Sequence, residues 1–223
     1  MPLSEEQIID RLLVQVRDPL VAFPRCHDFD HTMRVLNNAR RLAKVEGGHR
    51  LVIECAALLH DIGRKIELAD NGRTCHAAVG AAQAPAILRQ AGLRNPMLIE
   101  RIVECVASHR FRGSPQASPP TTIEAKIIFD ADKLDSMGAI GIGRAFHFAG
   151  RIGARVHNRE NEALNGESYG LEDSAFREYL VKLRHLAGVL LTAEGRRLGA
   201  GRHLFMEEFF KRLTREVDGH DLA

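Results

Sequence analysis

The amino-acid sequence predicts an all-α fold for this chain of 223 residues. Two observations carry the prediction. Apolar residues recur at helical spacing along nearly the whole chain, and the segments so marked are bounded by capping residues and glycines. A third observation agrees: only Lys126–Asp130 (KIIFD) has the composition of a strand, and it lies inside a longer helical pattern.

Ser4 followed by Gln7 reads as a capping box opening a first helix, with Ile8, Ile9, Leu12, Leu13 and Val16 on its apolar face. Asp28 or Asp30 caps a second helix running to about Val45, with Val35, Leu36, Ala39 and Leu42 inward, and Gly47-Gly48 ends it. A third begins near Arg50. Its near-continuous apolar character predicts a fully buried central helix. After Gly63 the chain turns polar, with a turn signal at Asp70-Asn71-Gly72. Helix resumes near Cys75 and runs to about Gln90; Asn95-Pro96 opens another, ending at His109. Residues 111–120 are a loop by composition. Thr121 or Thr122 caps a helix containing DADKLD. Residues 138–170 read as a short helix and a long loop, and two more helices fill 171 to about 217. The expectation is one compact domain over 1–223, with a core at about 20–150 and a helical extension at about 171–218.

Composition narrows the function. Apolar content of 45% and charged content of 27% are those of a folded globular chain. A formal charge of +2 provides no global drive towards nucleic acid or membrane, so any attraction for an anion is local. No apolar stretch reaches bilayer length and no secretory signal opens the chain. The cysteines (Cys26, Cys55, Cys75 and Cys105) are scattered and form no C-x-x-C pair. A reduced, cytoplasmic protein is the simplest expectation.

The chemistry centres on His60-Asp61, at the end of the most apolar helix. An imidazole and a carboxylate there are costly to bury without a partner. A divalent cation satisfies both. His31 stands upstream in HDFDHTMRV, one turn from Val35, and Asp132 stands downstream in IIFDADKLD. Each lies beside an otherwise apolar helix face.

Together these stretches resemble the HD superfamily of metal-dependent phosphohydrolases, and closely a bacterial branch of HD hydrolases that includes nucleotide pyrophosphohydrolases. The matching segments are HDFDHTMRV, ALLHDIGRK, HAAVGA, IVECVASHR, EAKIIFDADKLDSMGAIGIGR and RHLFMEEF, in that order along nearly the whole chain. The resemblance implies an all-α HD fold and makes His31, His60, Asp61 and Asp132 ligands of a divalent metal (Mn, Mg, Co, Ni, Fe or Zn). It implies hydrolysis of a phosphoester or pyrophosphate bond of a small phosphorylated substrate, a nucleotide first of all, by metal-activated water.

In some HD branches histidines at places like His76 and His109 bind a second metal bridged by the central aspartate. In others they contact substrate or act as acid or base. Both readings stay open, beside the structural one of polar residues at helix ends. Asp28 is read either as orienting a catalytic imidazole or water, or as an N-cap; His27 shares the first of these roles. Arg34, Lys65, Lys133 and Arg144 are the candidate phosphate-binding residues. Asp135 either supports the site or caps the next helix. The glutamate that some branches carry just after the His-Asp pair is replaced here by Arg64 and Lys65, with Glu67 beyond them. Two rival functions follow from the same fold: a di-iron oxygenase, which needs the second metal, and a non-catalytic nucleotide sensor. A homo-oligomer is compatible with each.

Overall fold

The structure, a computed structural model, describes residues 3–21, 28–69, 73–110 and 119–220. His27, Cys26, the Asp70-Asn71-Gly72 turn and most of the 111–120 loop lie outside them. All regular secondary structure among the described residues is helical, with no strand among them. Eleven α-helices are described: α1 Glu5–Val21, α2 Phe29–Glu46, α3 Arg50–Leu59, α4 Arg64–Ala69, α5 His76–Ala91, α6 Pro96–Ser108, α7 Ile123–Asp135, α8 Gly138–Arg151, α9 Glu160–Asn165, α10 Ala175–Val181 and α11 Ala193–Val217. A 3-10 helix, Leu183–Val189, lies between the last two. By packing, the chain divides into two compact units, residues 1–132 with 191–194, and residues 133–190 with 195–223; the boundary falls inside α7.

The first unit is built around α3. Every residue from Leu51 to Leu59 is buried, and α1, α2 and α6 pack against it. Full burial of each large aliphatic side chain contributes roughly 1.5–3 kcal/mol, which explains why so apolar a segment takes the centre. The charged residue in this run, Glu54, is held by Arg40 at 2.5 Å and Arg50 at 2.8 Å. Cys55 and Cys105 are buried free thiols. Burial pushes both up to about 12, so they behave as small core residues.

The predicted caps form. Ser4 Oγ accepts from the amide of Gln7 at 3.2 Å, and Gln7 Oε1 accepts from that of Ser4 at 2.9 Å. Asp28 caps α2 and Gly47 closes it with φ +80°. Asn95 caps α6. Lys126–Asp130 is helical, inside α7, and hydrogen bonds at Glu124, Asp130 and Ala131 hold α7 in place. Asn38 Nδ2 donates to the carbonyl of Ala131 at 3.1 Å, and Glu124 accepts from the amide of His49 and from Arg101. The fully buried carboxylate of Asp130 accepts from the amides of Leu191 (2.9 Å) and Thr192 (2.8 Å) and from the Thr192 hydroxyl (2.7 Å).

In the second unit, α10 packs on α8, α9 and the 3-10 helix. The long loop expected up to residue 170 is interrupted by α9, a correction that rests on a local cap and on contacts from farther along the chain. Glu162 accepts from the amide of Arg159 at 2.8 Å and so closes the first turn. Asn158 then ties the segment to Glu172 and to Ser174. No described helix is long and apolar enough to cross a membrane.

Candidate metal centre

The centre forms where α3 ends. His60 is its C-cap residue, and residues 60–63 form the turn into α4. Leaving the helix lets two adjacent side chains face one point, which helical geometry would forbid. Gly63 is required there. A Cβ on it would overlap the carbonyl oxygen of His76 and lie 2.8 Å from the amide nitrogen of Gly80. The bare backbone therefore lets the turn press onto the start of α5 and brings His76 beside Asp61.

Four donor atoms from α2, the α3–α4 turn and α7 converge. His31 Nε2 lies 3.2 Å from His60 Nε2, 3.6 Å from Asp61 Oδ2 and 3.6 Å from Asp132 Oδ1; His60 Nε2 lies 3.7 Å from Asp61 Oδ2. His31, His60 and Asp61 are at most 1% exposed, whereas the Asp132 side chain is 21% exposed and gives the group its opening. His60 Nδ1 donates to the carbonyl of Ala57 at 2.8 Å, which leaves Nε2 as a lone pair aimed into the cluster.

A second group adjoins the first. His76 Nε2 is 3.2 Å and His109 Nε2 3.9 Å from Asp61 Oδ1, and the two nitrogens are 3.1 Å apart. His109 Nδ1 donates to the carbonyl of Val106 at 2.7 Å, and His76 Nδ1 faces Glu67 Oε2 at 2.7 Å. Burial holds the His109 imidazole well below the usual histidine range, and His60 and His76 push the same way. A neutral imidazole is the form that ligates metal.

These donor sets fit divalent ions. Ligand bonds of about 2.0–2.2 Å place neighbouring donor atoms roughly 3–3.5 Å apart. Lone pairs and a carboxylate gathered in a buried space repel one another unless a cation or proton lies among them. His31, His60 and Asp132 form one such group among the described residues, and Asp61, His76 and His109 another.

The other expected residues have these positions. Asp28 Oδ1 accepts from the amide of His31 at 3.1 Å, so the carboxylate fixes the start of the helix carrying that histidine. Arg34 lies partly buried on α2, one turn beyond His31, and Lys65 is exposed on α4. Lys133 and Arg144 belong to the second unit. There Arg144 Nη1 pairs with Asp135 Oδ2 at 2.8 Å and also donates to the Asp135 carbonyl.

Three residues at the centre were not assigned from the sequence. Arg64 Nη2 donates to both oxygens of Asp61, at 3.0 and 3.3 Å, and its Nη1 to Glu67 at 2.8 Å. Glu67 is also bound by Arg110. Nothing in the spacing signals Glu67, because its partner His76 lies nine positions on, at the start of the next helix. A cleft of about 580 Å³ in the second unit, lined by His157, Phe176, Tyr179, Phe210 and Lys211 among others, contains none of these residues. Ligand geometry, not concavity, marks the centre.

Residues 28–137 match the HD domain family. The chain is also 32% identical over 196 residues to the uncharacterised protein YpgQ of Bacillus subtilis, covering 87% of this chain and 86% of that one. The chain belongs to the HD-domain family. All six clustered side chains fall inside the matched stretch. The crystal structure of Bacillus subtilis YpgQ in complex with ADP superposes with a TM-score of 0.73 at 27% identity, over 99% of this HD-domain chain and 100% of that one. An HD-superfamily hydrolase from Bacillus thuringiensis superposes with a TM-score of 0.72 at 26% identity, over 96% and 99%.

Proposed function

We propose that this HD-domain protein is a metal-dependent phosphohydrolase that cleaves a phosphoester or pyrophosphate bond of a nucleotide, with the whole chain serving as one functional domain. The convergence of His31, His60, Asp61 and Asp132 on one point carries the reading. The ADP bound by YpgQ supports a nucleotide as substrate.

A divalent ion bound by these residues would lower the pKa of a water and polarise a phosphoryl oxygen. The protein groups do the rest. His60 keeps its Nε2 lone pair inward through the Ala57 carbonyl. Asp28 fixes the backbone beneath His31. The half-open Asp132 faces the side from which substrate enters. Arg34 and Lys65 supply the positive charge for phosphate groups, Arg as a planar fork and Lys as a point charge. Buried free thiols fit a reducing, cytoplasmic setting.

The position of His76 and His109 favours a two-ion centre, with Asp61 shared between the groups through its two oxygens. A di-iron oxygenase needs the same arrangement. Two irons per chain with oxygen consumption would select that alternative.

The test is a screen of nucleoside mono-, di- and triphosphates against Mn, Mg, Co, Ni, Fe and Zn, reading phosphate and pyrophosphate separately. Turnover abolished by chelation and restored by metal is expected. Nucleotide binding without turnover under every ion would replace this reading with that of a sensor.

A further inference from the structure

Glu67 lies on α4, six residues beyond Asp61, and is 6% exposed. Its carboxylate is fully engaged. Oε2 meets His76 Nδ1 at 2.7 Å and accepts from Arg64 at 2.8 Å, while Oε1 accepts from Arg110. Two observations fix the proton on His76. A carboxylate oxygen has no hydrogen to give, so a 2.7 Å contact requires that Nδ1 carry one. Arg110 Nη1 also approaches Nδ1, but at 3.2 Å, and that guanidinium is already committed to Glu67. The opposite tautomer would set a ring lone pair against a carboxylate in a buried site.

His60 and His109 reach the same state through backbone carbonyls three residues before them, a contact available at a helix end. His76 opens its helix and has no preceding turn to donate to. We infer that Glu67, held by Arg110 and Arg64, is the positioning residue that does this for His76, presenting its Nε2 lone pair to Asp61 Oδ1 and to a second ion. Glu67 stands six positions beyond Asp61, not at the place just after the His-Asp pair, and it acts through His76 rather than on substrate. The inference rests on the two-ion reading for its metal consequence but not for the tautomer.

The experiment therefore has two arms. In the metal-free protein labelled with 15N-histidine, long-range proton–nitrogen correlation should find His76 protonated at Nδ1 and bare at Nε2. Protonation at Nε2 in the unmodified protein would overturn the inference. In the second arm, Glu67→Gln keeps the side-chain volume but removes the obligate acceptor. Its His76 should become a tautomer mixture. Titration with Mn should show the second ion weakened about 10- to 100-fold and the first unchanged, with an unaltered circular dichroism spectrum. Second-ion affinity in Glu67→Gln equal to that of the unmodified protein would overturn it. If the unmodified protein takes up a single ion, the two-ion reading fails, and the tautomer in the first arm alone decides the role of Glu67.

Discussion

Asp61 Oδ1 lies 3.2 Å from His76 Nε2, while Oδ2 of the same carboxylate faces His31 and His60. One side chain thus joins two groups of donor side chains from helices that are remote in the chain. Asp61→Ala should remove turnover and lower the bound metal below one ion per chain, measured by elemental analysis beside the nucleotide assay. Near-normal activity would refute the central role of this carboxylate.

Gly63→Ala should destabilise the protein by about 1–3 kcal/mol, the usual cost of overpacking. The added methyl collides with the backbone of His76, which has no rotamer to yield. The urea midpoint should fall, and metal affinity with it, because the shift separates His76 from Asp61. An unchanged midpoint would show that α5 moves freely against the turn.

Asp130→Asn should cost about 2–3 kcal/mol in thermal or urea unfolding. The carboxylate accepts from three donors at Leu191 and Thr192, and an amide must turn an N–H group towards at least one of them. The clustered histidines and aspartates do not touch Asp130 through these bonds, so metal stoichiometry should hold while stability drops. A variant as stable as the parent would contradict this anchoring.

Acid should unfold the protein partly through Glu54. Burial pushes its carboxyl up, but Arg40 and Arg50 more than offset this and hold it below the ordinary 4.5. A lowered folded value means that the stabilisation is fully present above pH 4.5 and is lost as pH falls below it. Glu54→Gln should therefore be less stable than the parent at pH 7, by about 1–2 kcal/mol, with the difference shrinking towards pH 3. A constant difference across that range would remove Glu54 from the acid transition.

The helices of the first unit were legible because their signals are local. Ser4 with Gln7, Asp28, Gly47 and Asn95 each act within a few residues, and the apolar run of α3 predicts its own burial. The break in the 138–170 loop was not read, because α9 depends on Asn158 and Glu172, which meet only in the folded chain.

By itself the sequence determined the all-α class, the burial of α3, and the placing of His31, His60-Asp61 and Asp132 at the edges of apolar helix faces, since periodicity and capping are properties of neighbouring residues. The tertiary structure alone decided that Asp61 turns one oxygen to each histidine group, that Glu67 meets His76, and that Gly63 allows the approach. Those distances depend on packing between helices, and no spacing along the chain encodes them.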